Sequence, residues 1–207
     1  MVSEKFMVNS NAGRIAAATY VGEEFARAQA LDRHNAMRLQ LLTEETLGMI
    51  RAMVDEFYGQ IWFEGDDKRF EIHLEATASM DADKKHDLMS VSHSGKNVAV
   101  KGFMGHLGEL ISNTLYNFGR VVDEYGSDAM QYGIITPPGI DTPSVYDMTP
   151  VWTLQNYRAN LDSNRAEDNA AGQAWDELEK SIVANLADDV IVGVKGDCLE
   201  LVIVKNL

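Results

Sequence analysis

The chain is short of cysteine, proline and positive charge, and each shortage removes a class of function. One cysteine, Cys198, stands alone in 207 residues. It has no partner for an internal disulfide, which points to a reducing compartment and a cytoplasmic protein. Lysine and arginine total 18 against 32 aspartates and glutamates, a net charge of -14. That field repels phosphate backbones and anionic membranes, so nucleic acid and membrane are not expected partners. No apolar run approaches the ~18 residues of a membrane span. The first fifteen residues carry Glu4, Lys5 and Arg14 and hold no hydrophobic stretch of signal-peptide length. The 4 prolines all fall between Asp123 and Gln173.

What is present is a core-forming composition, 45% hydrophobic, of a size that suits one domain with an insertion. Lys5 to Val8 reads as a short strand. Asn9-Ser10-Asn11 reads as a turn and helix cap before an alanine-rich helix, Ala12 to Leu31, with Ile15, Tyr20, Phe25 and Ala28 on one side. The strongest periodicity follows. From Asp32, a plausible N-cap, Leu39, Leu42, Thr46, Met49, Met53 and Phe57 recur at steps of three and four and predict a helix running to Phe57, stopped by Gly59.

Gln60–Glu64 and Arg69–Thr77 read as strands joined through Gly65-Asp66-Asp67. In the second, Phe70, Ile72, Leu74 and Ala76 alternate with Glu71, His73, Glu75 and Thr77, so one face is buried and the other polar. Ser79–Ser92 and Asn97–Val122 read as helices. Asp123–Gln173 reads as an insertion with a short helix at Val151–Leu161 and a mobile stretch after it. Trp175–Leu186 reads as a helix, and Val190–Lys195 with Cys198–Lys205 as a hairpin around Gly196-Asp197.

Three constellations bear on chemistry. On the long helix, at about 100° per residue, Glu44 points away from the apolar seam while Glu45 lies at its margin. Leu41, Gly48 and Ala52 share a stripe with Glu45. A glycine within a helix costs about 1 kcal/mol, so Gly48 implies either a closely crossing element or room for a ligand. Gly102, Gly105 and Gly108 at a helix entrance can bring backbone N–H groups to a phosphate. His73, between Glu71 and Glu75 on a polar strand face, has metal-ligating neighbours, though a solvated face explains the same pattern and no metal site is expected there. Ser94-Gly95-Lys96-Asn97 fails the phosphate-loop pattern, with Ser90 in place of its first glycine and Asn97 in place of Ser or Thr.

The order strand, helix, long helix, hairpin, variable segment, glycine-rich helix entrance and terminal strands resembles the GHKL (Bergerat-fold) ATPase superfamily, most closely its anti-sigma-factor serine kinase branch. Leu47-Gly48-Met49 and Lys101-Gly102-Phe103-Met104-Gly105 are also similar to segments of bacterial proteins. The resemblance implies an α/β (α+β) two-layer sandwich, with a mixed, mostly antiparallel sheet covered on one face by long helices. It makes residues 1–207 a single domain with an insertion at about 123–173. It implies ATP as ligand, Glu45 as catalytic base, and nucleotide contacts from Gly48, Met49, Asp81, Gly102, Gly105 and Gly108. It also implies a sigma-factor or regulator type of protein partner and a homodimer. Two motifs depart from the family. Met49 stands where an Asn holds magnesium, and the glycines expected after Asp81 are absent. The expectation is a degenerate regulatory or interaction protein with residual ATP binding and no magnesium site. An active ATP-dependent serine kinase or ATPase is the first alternative. The second is an unrelated α/β module binding a protein through residues 123–173.

Overall fold

The computed structural model describes residues 1–53, 56–79, 134–135, 151–195 and 198–207. The expected helices at 79–92 and 97–122 lie outside these residues, apart from Ser79, and so do Asp81, Gly102, Gly105, Gly108 and the turn at Gly196-Asp197.

The described chain forms an α+β fold. In sequence it runs β1 (Phe6–Asn9), α1 (Ala12–Ala28), α2 (Arg33–Met53), β2 (Glu56–Gly65), β3 (Arg69–Ser79), β4 (Ile134–Ile135) and β5 (Val151–Thr153). It continues with α3 (Leu154–Asn164), α4 (Asn169–Lys180), α5 (Ile182–Leu186), β6 (Asp189–Lys195) and β7 (Cys198–Asn206). The strands make one sheet in the order β1-β2-β3-β7-β6-β5-β4, and every described pairing is antiparallel.

Register explains why the sheet is one-sided. Phe63 lies opposite Ile72, Ile72 opposite Ile203, and Ile203 opposite Val190. One row away, Ile61, Leu74, Leu201, Val192 and Trp152 form a second transverse line. Side chains alternate across a strand, so both rows project from the same face. All of these residues except Trp152, at 4%, are 1% exposed or less. At about 1.5–3 kcal/mol for each fully buried large apolar side chain, these rows carry much of the stability of the sheet. The helices cover this face. Ala18, Phe25, Leu39, Leu42, Leu47, Ile50, Tyr157, Leu161, Leu178 and Val183 join the strand residues in one continuous core cluster.

The first helix begins as the sequence suggests, with the Asn11 side chain accepting from Gly13 N–H at 2.8 Å. Its buried face is Ala18, Thr19, Gly22, Phe25 and Ala26, whereas Tyr20, expected inside, is 59% exposed. At Gly22 the packing around α1 leaves no space for a side chain. A Cβ there would stand 2.9 Å from Leu39 of α2 and 3.2 Å from Phe63 of β2. The helix closes with Leu31 N–H bonding the Ala26 carbonyl at 3.0 Å, and Ala30 between them at φ 52°. That is a Schellman-type stop, a position where glycine is the unstrained residue.

Asp32 caps α2 as expected. Its carboxylate accepts from Asn35 N–H and from the Asn35 amide, each at 2.9 Å. The backbone N–H of Asn35, which bonds only the ionised form well, holds the Asp32 pKa below its ordinary value.

The end of α2 corrects the sequence reading. The helix stops at Met53, and Phe57 and Gly59 belong to β2. Phe57 satisfies two periods at once, a helical seam with Met53 and an alternating row with Ile61 and Phe63. Pairing with β3 along its whole length decides for the strand. Gly59, expected as a helix stop, lies opposite both Val8 and Ala76 in the sheet, where a Cβ would fall 2.3 Å from the Glu75 carbonyl oxygen. The β2–β3 turn is as expected, with Asp66 accepting from Lys68 and Arg69 N–H at 2.8 and 3.0 Å.

The C-terminal half differs more. Val151–Thr153, expected as the start of a helix, forms β5 and pairs with β6. Thr153 then caps α3, its hydroxyl accepting from Asn156 N–H at 3.2 Å. The stretch 162–172, expected to be mobile, completes α3 and opens α4. The single helix expected over Trp175–Leu186 is two, divided at Ser181, whose hydroxyl accepts from Ala184 N–H and starts α5. Among the described residues no helix is long and apolar enough to cross a membrane.

Two outcomes follow. Ala30→Gly relieves the left-handed backbone and raises the unfolding free energy by about 1 kcal/mol in urea titration. For Asp32 the folded pKa lies below the unfolded one, so its capping contribution is complete at neutral pH and is lost as pH falls through the folded pKa. The thermal-stability gap between parent and Asp32→Ala is therefore largest near pH 7, shrinks below about pH 4, and closes in stronger acid.

Candidate functional site

Helix α2 places the sequence-predicted residues by its buried stripe. Leu39, Leu42, Thr43, Thr46, Leu47 and Ile50 are each 0% exposed. Thr43 and Thr46 are tolerated inside because their hydroxyls donate to the carbonyls of Leu39 and Leu42, at 2.8 and 2.6 Å. The stripe is rotated from the expected seam towards Thr43, Leu47 and Ile50. At about 100° per residue, Gly48 then lies roughly opposite the core.

Glu45 is half-buried and Glu44 is exposed, in the expected sense. Glu44 accepts from the Gln40 amide at 3.3 Å along the solvent side. Gly48 is exposed, and no described atom lies within 4 Å of where its Cβ would be. The crossing element that would account for a helical glycine is therefore absent among the described residues. Of the expected nucleotide contacts, the structure describes Gly48 and the backbone of Met49, one helical step from Glu45. Asp81, Gly102, Gly105 and Gly108 lie outside the described residues.

The open face of the sheet carries the second cluster. Trp62 lies opposite His73, and Glu64 opposite Glu71, across β2 and β3. Two carboxylates directly opposed on one face repel, and the surrounding groups answer that repulsion. His73 Nε2 is 3.1 Å from Glu71 Oε2 and 3.9 Å from Glu64 Oε1. Arg69 Nη2 pairs with Glu71 Oε1 at 3.1 Å, and Trp62 Nε1–H donates to Glu64 Oε1 at 2.9 Å. The Trp62 and His73 rings stack at 4.9 Å with planes 11° apart, and Lys5 Nζ lies 4.1 Å over the outer face of the indole. His73 and Glu71 are the sheltered members, with side chains 15% and 17% exposed.

The sequence placed His73 between Glu71 and Glu75. The structure keeps Glu71 and exchanges the other neighbour. Glu75 is exposed and turns to Lys5 at 3.9 Å, and Glu64 enters from the adjacent strand. Period two put Glu71 and His73 on one face, but nothing local in the chain sets which residue of β2 stands opposite them. Among the described residues, one groove bordering this sheet is lined by Met1, Val2, Glu64, Gly65, Asp66, Arg69 and Glu71. Another, at the far end of the strands, is lined by Met7, Tyr58, Gly59, Gln60, Glu75, Ala76, Thr77 and Cys198. Neither includes Glu45.

Comparison of the chain with protein-family models, with curated proteins and with solved structures finds no match.

Gly48→Ala tests the openness of the helix face directly. With no described neighbour to displace, the added methyl contributes only helix propensity, so the variant gains about 1 kcal/mol in denaturant unfolding.

Proposed function

We propose that the chain is a GHKL-like regulatory or interaction protein that retains a nucleotide-facing surface on α2 and has lost magnesium-dependent phosphoryl transfer. The observation that carries this reading is Gly48. It is a helical glycine, costing about 1 kcal/mol, exposed and with no described atom near its Cβ position. A helical glycine with no packing role among the described residues fits a face approached by a ligand, and Glu45 stands beside it.

The architecture supports the same reading. Of the order on which the resemblance rests, the described residues hold the strand, helix, long helix, hairpin and terminal strands, and β2–β3 and β6–β7 share one sheet through the β3–β7 pairing. Hairpins in separate sheets would have removed the family from consideration. On this reading ATP approaches α2 at Gly48. Magnesium does not fit the donor set: four residues beyond Glu45 stands Met49, whose thioether is a poor ligand for a hard cation. Glu45 on this reading is a retained carboxylate beside the ligand, and the output of the domain is a protein contact that nucleotide modulates.

A thermal-shift titration tests it. A ligand at 100 times its dissociation constant adds about 2.7 kcal/mol, which for a chain of this size raises the melting temperature by about 5–10 °C. ATP is expected to give a shift of this kind at saturation, unchanged by EDTA. Gly48→Leu, which fills the open face, is expected to remove the shift while melting at or above the parent temperature. A shift that requires magnesium would replace this reading with an active kinase or ATPase. Absence of any shift with the parent chain would remove nucleotide from it.

A further inference from the structure

We infer that His73, Glu71 and Glu64 form a binding site for one divalent transition-metal ion, Zn2+ being the best fit, on the open face of the sheet. The site is separate from the α2 surface and stands or falls without it.

Three features carry the inference. The first is donor geometry. One ligand atom from each of the three side chains lies within 4.8 Å of the other two. An ion with bonds of about 2.1 Å in tetrahedral arrangement holds its ligands about 3.4 Å apart. The His73–Glu71 separation of 3.1 Å is close to that spacing, and the His73–Glu64 separation of 3.9 Å reaches it by a small rotation of the glutamate. The second is charge. Glu64 and Glu71 are directly opposed across β2–β3, and each directs one oxygen towards the His73 ring nitrogen. A dication between them replaces repulsion with two favourable contacts.

The third is the outer layer of contacts. Arg69 holds the Glu71 oxygen that faces away from His73, Trp62 N–H holds Glu64, and the stacked indole fixes the plane of the imidazole. Such contacts orient ligands around bound metals. One imidazole with two carboxylates selects zinc or a neighbouring first-row ion over magnesium or calcium, which prefer all-oxygen sets. Binding displaces any proton on His73 Nε2 to solvent, and three protein ligands leave a coordination position open to water.

The test uses the full chain, stripped with EDTA and dialysed. Equilibrium dialysis with Zn2+ is expected to give one ion per chain at micromolar free metal. His73→Asn and Glu71→Gln are each expected to weaken binding at least tenfold, and Glu75→Gln, on the same face but turned to Lys5, to leave it unchanged. A readout on the parent chain guards against misfolded variants. Substoichiometric Mn2+ is expected to broaden the indole N–H signal of Trp62 in preference to those of Trp152 and Trp175. Equal binding by parent and His73→Asn, broadening of all three indoles alike, or no saturation below millimolar metal would each overturn the proposal.

Discussion

One-sided burial of the antiparallel sheet is the constraint on which the rest depends. The apolar side chains of five neighbouring strands fall in register on one face, and α1 to α5 cover that face alone among the described residues. A face closed by helices leaves its reverse for polar chemistry. Trp62, Glu64, Glu71 and His73 gather there because each sits one residue away from a core position. A slip of one residue between β2 and β3 would exchange the two sets and destroy core and cluster together.

The same burial sets the orientation of α2. Six side chains of that helix are wholly enclosed, so its rotation about its own axis is fixed by packing. Glu45 and Gly48 then occupy the margin and the outer side. Gly22 of α1, pressed against the Leu39 and Phe63 side chains, and Gly59 of β2, pressed against the β3 backbone, show glycine used where packing leaves no space for a Cβ. Gly48 is the contrasting case, and the contrast is what separates a packing glycine from one on an open face.

The two faces differ in chemistry. The α2 surface has the half-buried Glu45 carboxylate beside a glycine with no described atom near its Cβ position. The sheet surface offers a cation, an imidazole, an indole and two carboxylates within a few ångströms, already linked by hydrogen bonds and ion pairs. Each member of this network is oriented by at least one neighbour on an adjacent strand or along its own.

Local sequence determined much of this protein. Asn11, Asp32 and Asp66 act through hydrogen bonds to backbone N–H groups two or three residues away, and their roles are legible for that reason. Strict alternation in Arg69–Thr77 determined which side of β3 is core. Tertiary structure decided where two periods competed. Phe57 fits a helix and a strand equally, and only the partner strand settles it. Val151–Thr153 carries too few residues for a period and became a strand through pairing with β6. Tertiary structure also decided the cluster. Glu71 and His73 share a face by local geometry, but Glu64 joins them through cross-strand register. Register is set by the fit of whole hydrophobic rows against the helices, information spread over the chain and held by no short segment of it.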